Sequence, residues 1–207
     1  MTTSPSVTGA PMEPAEFRIP PPHPVPLLRT WLDHARENVR EPGAIALATS
    51  DEDGRASSRI VQLTSLTDTG VVFTTHRGSR KSRELAVRPW ASGVLYWRET
   101  RRQIVFAGPV EQLADAESDA LWAARPVTTH AMSVASRQSH VLPDVEELRA
   151  EAGRLAALGP LPRPDGYVGY RLTAHAVEFW EESPDRLHRR LRYDLKDGAW
   201  SSARLQP

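Results

Sequence analysis

The β-favouring segments of this chain follow one another in hairpin order, and that order constrains the fold more than any other property of the sequence. Residues 44–49 and 56–66 flank Asp51-Glu52-Asp53-Gly54, a turn sequence that joins two strands. Thr67-Asp68-Thr69-Gly70 then leads into Val71-Val72-Phe73-Thr74-Thr75, a short run rich in β-formers. Residues 92–97 and 103–113 read as another hairpin with a polar connection at residues 99–101. Residues 167–179 are strand-like, and residues 187–193 and 200–205 form a last hairpin around Lys196-Asp197-Gly198. The regular strand–helix alternation of a parallel sheet is missing. A sheet with this many antiparallel strands must close or be covered to protect its edges. The expected class is therefore mainly β with helices (α+β): an antiparallel barrel or curled sheet with helices on one side.

Helical periodicity accounts for the intervening segments. Residues 24–39 place Leu27, Leu28, Trp31, Leu32, Ala35 and Val39 on one face, between Pro24 and Pro26 at the start and the stop signal Glu41-Pro42-Gly43. A shorter helix is expected over residues 79–87, ending at Arg88-Pro89. Residues 115–124, 129–137 and 143–158 are mostly helical, the last with Val145, Leu148, Ala152 and Leu155 on one face before Gly159-Pro160. Residues 1–26 are rich in Pro, Ser and Thr, including Pro20-Pro21-Pro22, and are expected to form a mobile or polyproline-like arm that packs over a neighbour or stays disordered. The remaining residues, 27–207, show no internal repeat and read as one domain large enough to enclose a pocket.

Composition removes several function classes. The 26 Lys and Arg residues balance 26 Asp and Glu residues, so no overall field would hold nucleic acid, and any cluster of cations is a local device. Cysteine is absent, which excludes disulfides, thiolate metal sites and thiol nucleophiles. The seven histidines show no metal-binding spacing, so redox chemistry would need an organic cofactor. No apolar run has the length of a membrane-spanning helix and no secretory signal is evident; a soluble cytoplasmic protein is expected.

Two cationic clusters point to anions. In Gly78-Ser79-Arg80-Lys81-Ser82, Ser79 suits the N-cap of the following helix, while Arg80 and Lys81 occupy a first turn where the helix dipole already disfavours cations. A phosphate at that helix end would resolve the conflict; an unfavourable surface pair is the alternative. Arg59 opens an apolar stretch, Arg59-Ile60-Val61-Gln62-Leu63, where a purely structural role favours a β-branched residue. Near the C-terminus, Arg186, His188 and Arg190 alternate and would share one face of an extended strand, with Leu187 and Leu191 on the other. A solvated basic stretch is the simpler reading of that run.

The order and spacing of several short motifs resemble those of the pyridoxamine 5'-phosphate oxidase family. They are Arg59-Ile60-Val61, Val72-Phe73-Thr74-Thr75 followed by Gly78-Ser79-Arg80-Lys81, Gln103, Ser136-Arg137-Gln138-Ser139, Glu178-Phe179-Trp180, Arg186-Leu187-His188 and the terminal Arg204-Leu205-Gln206-Pro207. The resemblance covers nearly all of the chain after the Pro-rich arm. It implies a split β-barrel that binds flavin mononucleotide (FMN) and works as a homodimer with FMN at the subunit interface. By position, Arg59, Arg80 and Lys81 would hold the flavin phosphate with help from Gln138 and Ser139. Ile60, Val61, Gln62, Leu63 and Thr64 would line the isoalloxazine ring beside Thr74 and Thr75, and Gln103, Trp180 and Arg190 would complete the site from the other subunit.

On the substrate side, the family's phosphate-binding Lys, Tyr, Arg and Ser correspond here to Thr64, Leu121, Arg125 and Thr129, followed by Arg186 and His188 over the ring. Losing a cation and a phenol hydroxyl removes charge-assisted bonds of roughly 1.5–3 kcal/mol each, which argues against a phosphorylated vitamin as substrate. Within the family the chain is similar to the branch that serves phenazine biosynthesis, in Pro89-Trp90-Ala91-Ser92-Gly93, in Leu95-Tyr96-Trp97-Arg98-Glu99-Thr100 and in Leu191-Arg192-Tyr193-Asp194. That similarity implies an FMN-dependent oxidase acting on a partly reduced phenazine dicarboxylate with O2 as acceptor. Leu121 would meet the ring edge, Arg125 and Arg186 the carboxylates, and His188 a ring nitrogen. The alternatives are a pyridoxine or pyridoxamine 5'-phosphate oxidase and a flavin-binding split barrel without catalysis.

Overall fold

The computed structural model describes residues 13–207. Nine strands make up its sheet: β1 (Ala44–Ser50), β2 (Ala56–Leu66), β3 (Gly70–His76), β4 (Trp90–Trp97), β5 (Arg102–Gln112), β6 (Tyr167–Thr173), β7 (Ala176–Glu181), β8 (Arg189–Lys196) and β9 (Ala199–Arg204). All pairings are antiparallel. The order β4-β1-β2-β3-β6-β5 returns to β4 through the β4–β5 pairing, so six strands close a barrel, and β7-β8-β9 extend outward from β5. Closure removes the free edges that an open sheet of this size would expose.

The strand that makes both structures possible is β5. One of its edges pairs with β4 from Arg102 to Pro109. The other pairs with β7 as far as Ala107 and with β6 from Val110 onward. Gly108 and Pro109 stand at the changeover: a Cβ on Gly108 would lie 1.9 Å from the Thr173 carbonyl oxygen, and Pro109 has no N–H to leave unpaired. The stretch 167–179, expected as one strand-like segment, is accordingly two strands interrupted at Ala174-His175, where the partner edge changes.

Helix α1 (Ala15–Arg18) and helix α2 (Pro24–Asn38) cover one side of the barrel. Helix α3 (Arg80–Val87) follows β3, and α4 (Asp115–Ala123), a 3-10 turn at Val127–Thr129, α5 (His130–Ala135) and α6 (Val145–Ala156) occupy the long excursion between β5 and β6. The apolar face expected on α2 is the buried one: Leu28, Trp31 and Leu32 are each 1% exposed. Trp31 meets Phe179 edge-on at 5.2 Å and carries the Arg102 guanidinium 4.5 Å above its ring. On α6 only Ala152 and Leu155 are buried, while Val145 is half exposed, so the expected stripe is realised over its second half. No helix among the described residues is long and apolar enough to cross a membrane.

Two expectations are corrected. Residues 1–12 of the expected mobile arm lie outside the described residues, but residues 13–26 are packed: Phe17 is 1% exposed against Trp31, the Trp31 indole donates to Glu16, and the Tyr193 hydroxyl donates to the Pro21 carbonyl at 3.0 Å. An apolar side chain in a Pro-rich segment is enough to tie it down. At the other end, strand geometry starts at Arg189 rather than Leu187, and Arg186 adopts φ +66°. Arg186, His188 and Arg190 therefore do not share the face of one strand. Leu191 is buried as the alternation requires, whereas Leu187 is 65% exposed.

Candidate functional site

The β3–α3 junction builds an anion cradle. Ser79 caps α3, its hydroxyl accepting from the Ser82 N–H, and Arg80 and Lys81 follow in the first turn as the sequence indicates. The Arg80 N–H donates to Ser139 Oγ at 3.2 Å, and the Lys81 ammonium donates to Thr75 Oγ1 (2.8 Å), Ser79 Oγ (3.2 Å) and Gln138 Oε1 (3.2 Å). A cleft of about 420 Å³ opens here. Its walls collect Arg59, Ile60, Val61, Thr74, Thr75, Arg80, Lys81, Gln138 and Ser139, nine of the residues singled out from sequence for cofactor binding. The other residues of that stretch on β2 are not on its walls: Leu63 is buried in the core, and Gln62 and Thr64 continue the exposed face that Ile60 begins.

Glu84, which sequence reasoning missed, ties the cations together. One carboxylate oxygen accepts from Arg80 Nε (2.7 Å), the other from Arg59 (3.2 Å) and Thr49 Oγ1 (2.5 Å), and the Ser57 hydroxyl reaches both (2.7 and 2.9 Å). Burial alone would raise its pKa, but the hydrogen bonds from Thr49, Ser57, Arg80 and Arg59 together bring it to about 2. Lys81 moves the other way for an ammonium: burial, then the neighbouring Arg59 charge, lower it to about 8, with Glu84 opposing. The available signal for Glu84 was its i+4 spacing from Arg80 on the helix.

A second pocket of about 220 Å³ shares Thr74, Thr75 and Gln138 with the first and adds His76, Arg125, Ser133, Ser136 and Tyr167. Arg125 donates to Thr129 Oγ1 (3.1 Å) and Ser133 Oγ (3.3 Å), and its guanidinium lies 5.2 Å over the Tyr167 ring. Two of the substrate candidates thus sit together beside the cleft. Leu121, half-buried on α4, packs toward Gly169, where a Cβ would come within 2.9 Å of it. The pKa of His76 is lowered by burial, then by His140 and Lys81.

The remaining candidates gather elsewhere. Register places Gln103 opposite Trp180 and Trp180 opposite Arg190, a row across β5, β7 and β8. Arg190 is held by Glu178 at 2.8 Å and by the Gln206 carbonyl at 3.0 Å. His188 lies 5.0 Å from Trp180 between ring centroids, and its Nδ1 accepts from the Ser183 N–H at 3.2 Å, which leaves the hydrogen on Nε2. Arg186 follows a tight turn in which Asp185 accepts from Ser183 Oγ and the Leu187 N–H. None of Gln103, Trp180, Arg186, His188 and Arg190 lines either pocket.

Residues 32–159 match the family described as Pyridoxamine 5'-phosphate oxidase, and residues 167–207 match the Pyridoxine 5'-phosphate oxidase C-terminal dimerisation region. A Pseudomonas chlororaphis protein named dihydrophenazinedicarboxylate synthase is 49% identical over 207 residues, covering 99% of this chain and 93% of that one. A protein of the same name from Burkholderia lata is 54% identical over 196 residues, covering 93% and 92%. The crystal structure of PhzG from Burkholderia lata 383 in complex with tetrahydrophenazine-1-carboxylic acid shares 51% identity and superposes with a TM-score of 0.92, covering 96% of this chain and 99% of that one.

Proposed function

This chain belongs to the pyridoxamine 5'-phosphate oxidase family, and on that footing we propose that it is an FMN-dependent oxidase that dehydrogenates a partly reduced phenazine dicarboxylate, with O2 as the final acceptor. The observation that carries the reading is the contrast between two adjoining sites. The first cleft brings three cations, a capped helix start and several hydroxyls to one place, which suits a phosphate dianion. The second offers Arg125 backed by Thr129 and Ser133, a set suited to a carboxylate. The positions that match the family's phosphate-binding Lys and Tyr are Thr64 and Leu121, which bring neither a cation nor a phenol hydroxyl. The names of the relatives at 49% and 54% identity agree with that substrate class.

The residues present fit FMN. Arg59, Arg80 and Lys81 would hold its phosphate, and Ile60, Val61, Thr74 and Thr75 would border the flavin. The row Gln103, Trp180 and Arg190 would close the site from the second subunit of a homodimer, which accords with a C-terminal segment matching a dimerisation region. The chemistry such a cofactor supplies is acceptance of a hydride from the reduced ring and passage of the electron pair to O2. The protein's own part is positioning. Arg125 and Arg186 take the substrate carboxylates, Leu121 meets the ring edge, and His188 presents its Nε2–H to a ring nitrogen. With Nδ1 occupied by the Ser183 N–H, His188 orients the substrate as a donor, and the proton lost on aromatisation goes to water.

The test is direct. Denatured purified protein should release FMN, and oxygen consumption should be fast with a dihydro- or tetrahydrophenazine dicarboxylate and slow with pyridoxine 5'-phosphate. Comparable turnover of pyridoxine 5'-phosphate would overturn the substrate, and protein unable to bind flavin would overturn the whole reading.

A further inference from the structure

Glu84 presents a physical conflict. It is 5% exposed, it lies behind Arg59 and Arg80 of a cleft built for an anion, and by Coulomb's law alone its charge opposes any phosphate placed there. Its geometry argues the other way. Arg59 comes from β2 and Arg80 from α3, and Glu84 gives one carboxylate oxygen to each, with Thr49 and Ser57 saturating the rest. The Arg80 side chain is 58% exposed, and its one ion pair among the described residues is with Glu84. Released from it, that side chain would regain the rotamer freedom of a solvated surface arginine. Arg59, Arg80 and Lys81 would also repel one another without an anion among them. The carboxylate thus does for the unliganded cleft what a phosphate would do for the liganded one.

We propose that Glu84 is a positioning residue for the phosphate-binding cations: it holds Arg59 and Arg80 side by side on the cleft wall, and its loss weakens binding of a phosphorylated flavin although it removes an opposing charge. The proposal rests on the reading that this cleft takes the FMN phosphate. Its distinguishing feature is the sign, since a purely electrostatic role predicts tighter binding of FMN when the anion is removed.

The experiment compares FMN with riboflavin, which has the same ring and no phosphate, by quenching of flavin fluorescence on the flavin-stripped full-length protein. Glu84→Gln should weaken FMN on the order of tenfold and leave riboflavin unchanged. In an Arg59→Met background the same substitution should have a much smaller effect, because its target is already gone. Should Glu84→Gln fail to fold, Ser57→Ala, which removes one donor to the carboxylate, should shift FMN in the same direction by a smaller factor. Unchanged or tighter FMN binding in these variants would overturn the proposal, as would equal losses for FMN and riboflavin. Wild-type protein that holds riboflavin as tightly as FMN would instead overturn the phosphate reading, and the proposal with it.

Discussion

Raising the pH should loosen FMN through a single lysine. Lys81 is 5% exposed and its pKa lies near 8, lowered by burial and then by Arg59. A phosphate beside it restores the ammonium, so binding above about pH 8 takes up one proton. The binding constant then falls by up to tenfold per pH unit, which between about pH 7 and about pH 9.5 amounts to roughly thirtyfold, or about 2 kcal/mol. The second ionisation of a phosphate monoester, near pH 6, is complete before that window. Stability of the unliganded protein moves oppositely. The folded-state pKa of about 8 lies below the ordinary lysine value of 10.5, so between them the unfolded chain binds more protons. Stability therefore rises with pH through that interval by up to about 3 kcal/mol, and is lost again as pH falls through 8. The assay is fluorescence titration with FMN at fixed ionic strength, with riboflavin in parallel to cancel ionisation of the ring. Lys81→Met should bind FMN weakly and without the slope. A flat profile in the wild type, or a slope that survives Lys81→Met, would refute the reasoning.

Other outcomes follow from the same geometry. Arg186→Ala should raise KM for a phenazine dicarboxylate about tenfold with little change in kcat, whereas His188→Ala should lower kcat a fewfold; wild-type steady-state kinetics in both would remove them from the site. Arg125→Gln should raise the same KM while leaving FMN affinity as it was, and a parallel loss of FMN in equilibrium binding would show that the two pockets are not separate. Phe17→Ala should cost about 3–5 kcal/mol in denaturant unfolding, because the ring is 1% exposed against Trp31; a change below about 1 kcal/mol would show that residues 13–23 do not contribute to the fold.

Local chemistry made much of this legible. Turn sequences such as Asp51-Glu52-Asp53-Gly54 and Lys196-Asp197-Gly198 mark real hairpins, and Ser79 caps the helix it precedes. What escaped depends on distant partners. The split of residues 167–179 into β6 and β7 is imposed by the change of edge along β5 at Gly108, which no pattern within 167–179 announces. Glu84 is an ordinary helix residue until β1 and β2 bring Thr49, Ser57 and Arg59 to it. The positive φ of Arg186 had a local sign that alternation obscured: Ser183-Pro184-Asp185 is a turn sequence, and Asp185 caps that turn. Phe17 was the apolar residue that contradicted a mobile arm.

The packed N-terminal segment also sets an order of events. The hydrogen bond from Tyr193 to Pro21 joins residues 172 positions apart, and the Arg204–Glu13 pair and the His23–Trp200 contact join the same two ends. On the ribosome, residues 13–23 are made well before their partners on β8 and β9. The six barrel strands are all made before β8 and β9, so the segment gains these contacts only after the barrel itself can close. Such sequence-distant closure belongs to the slow, aggregation-exposed part of folding. A truncation that removes β8 and β9 would hold the chain at that stage.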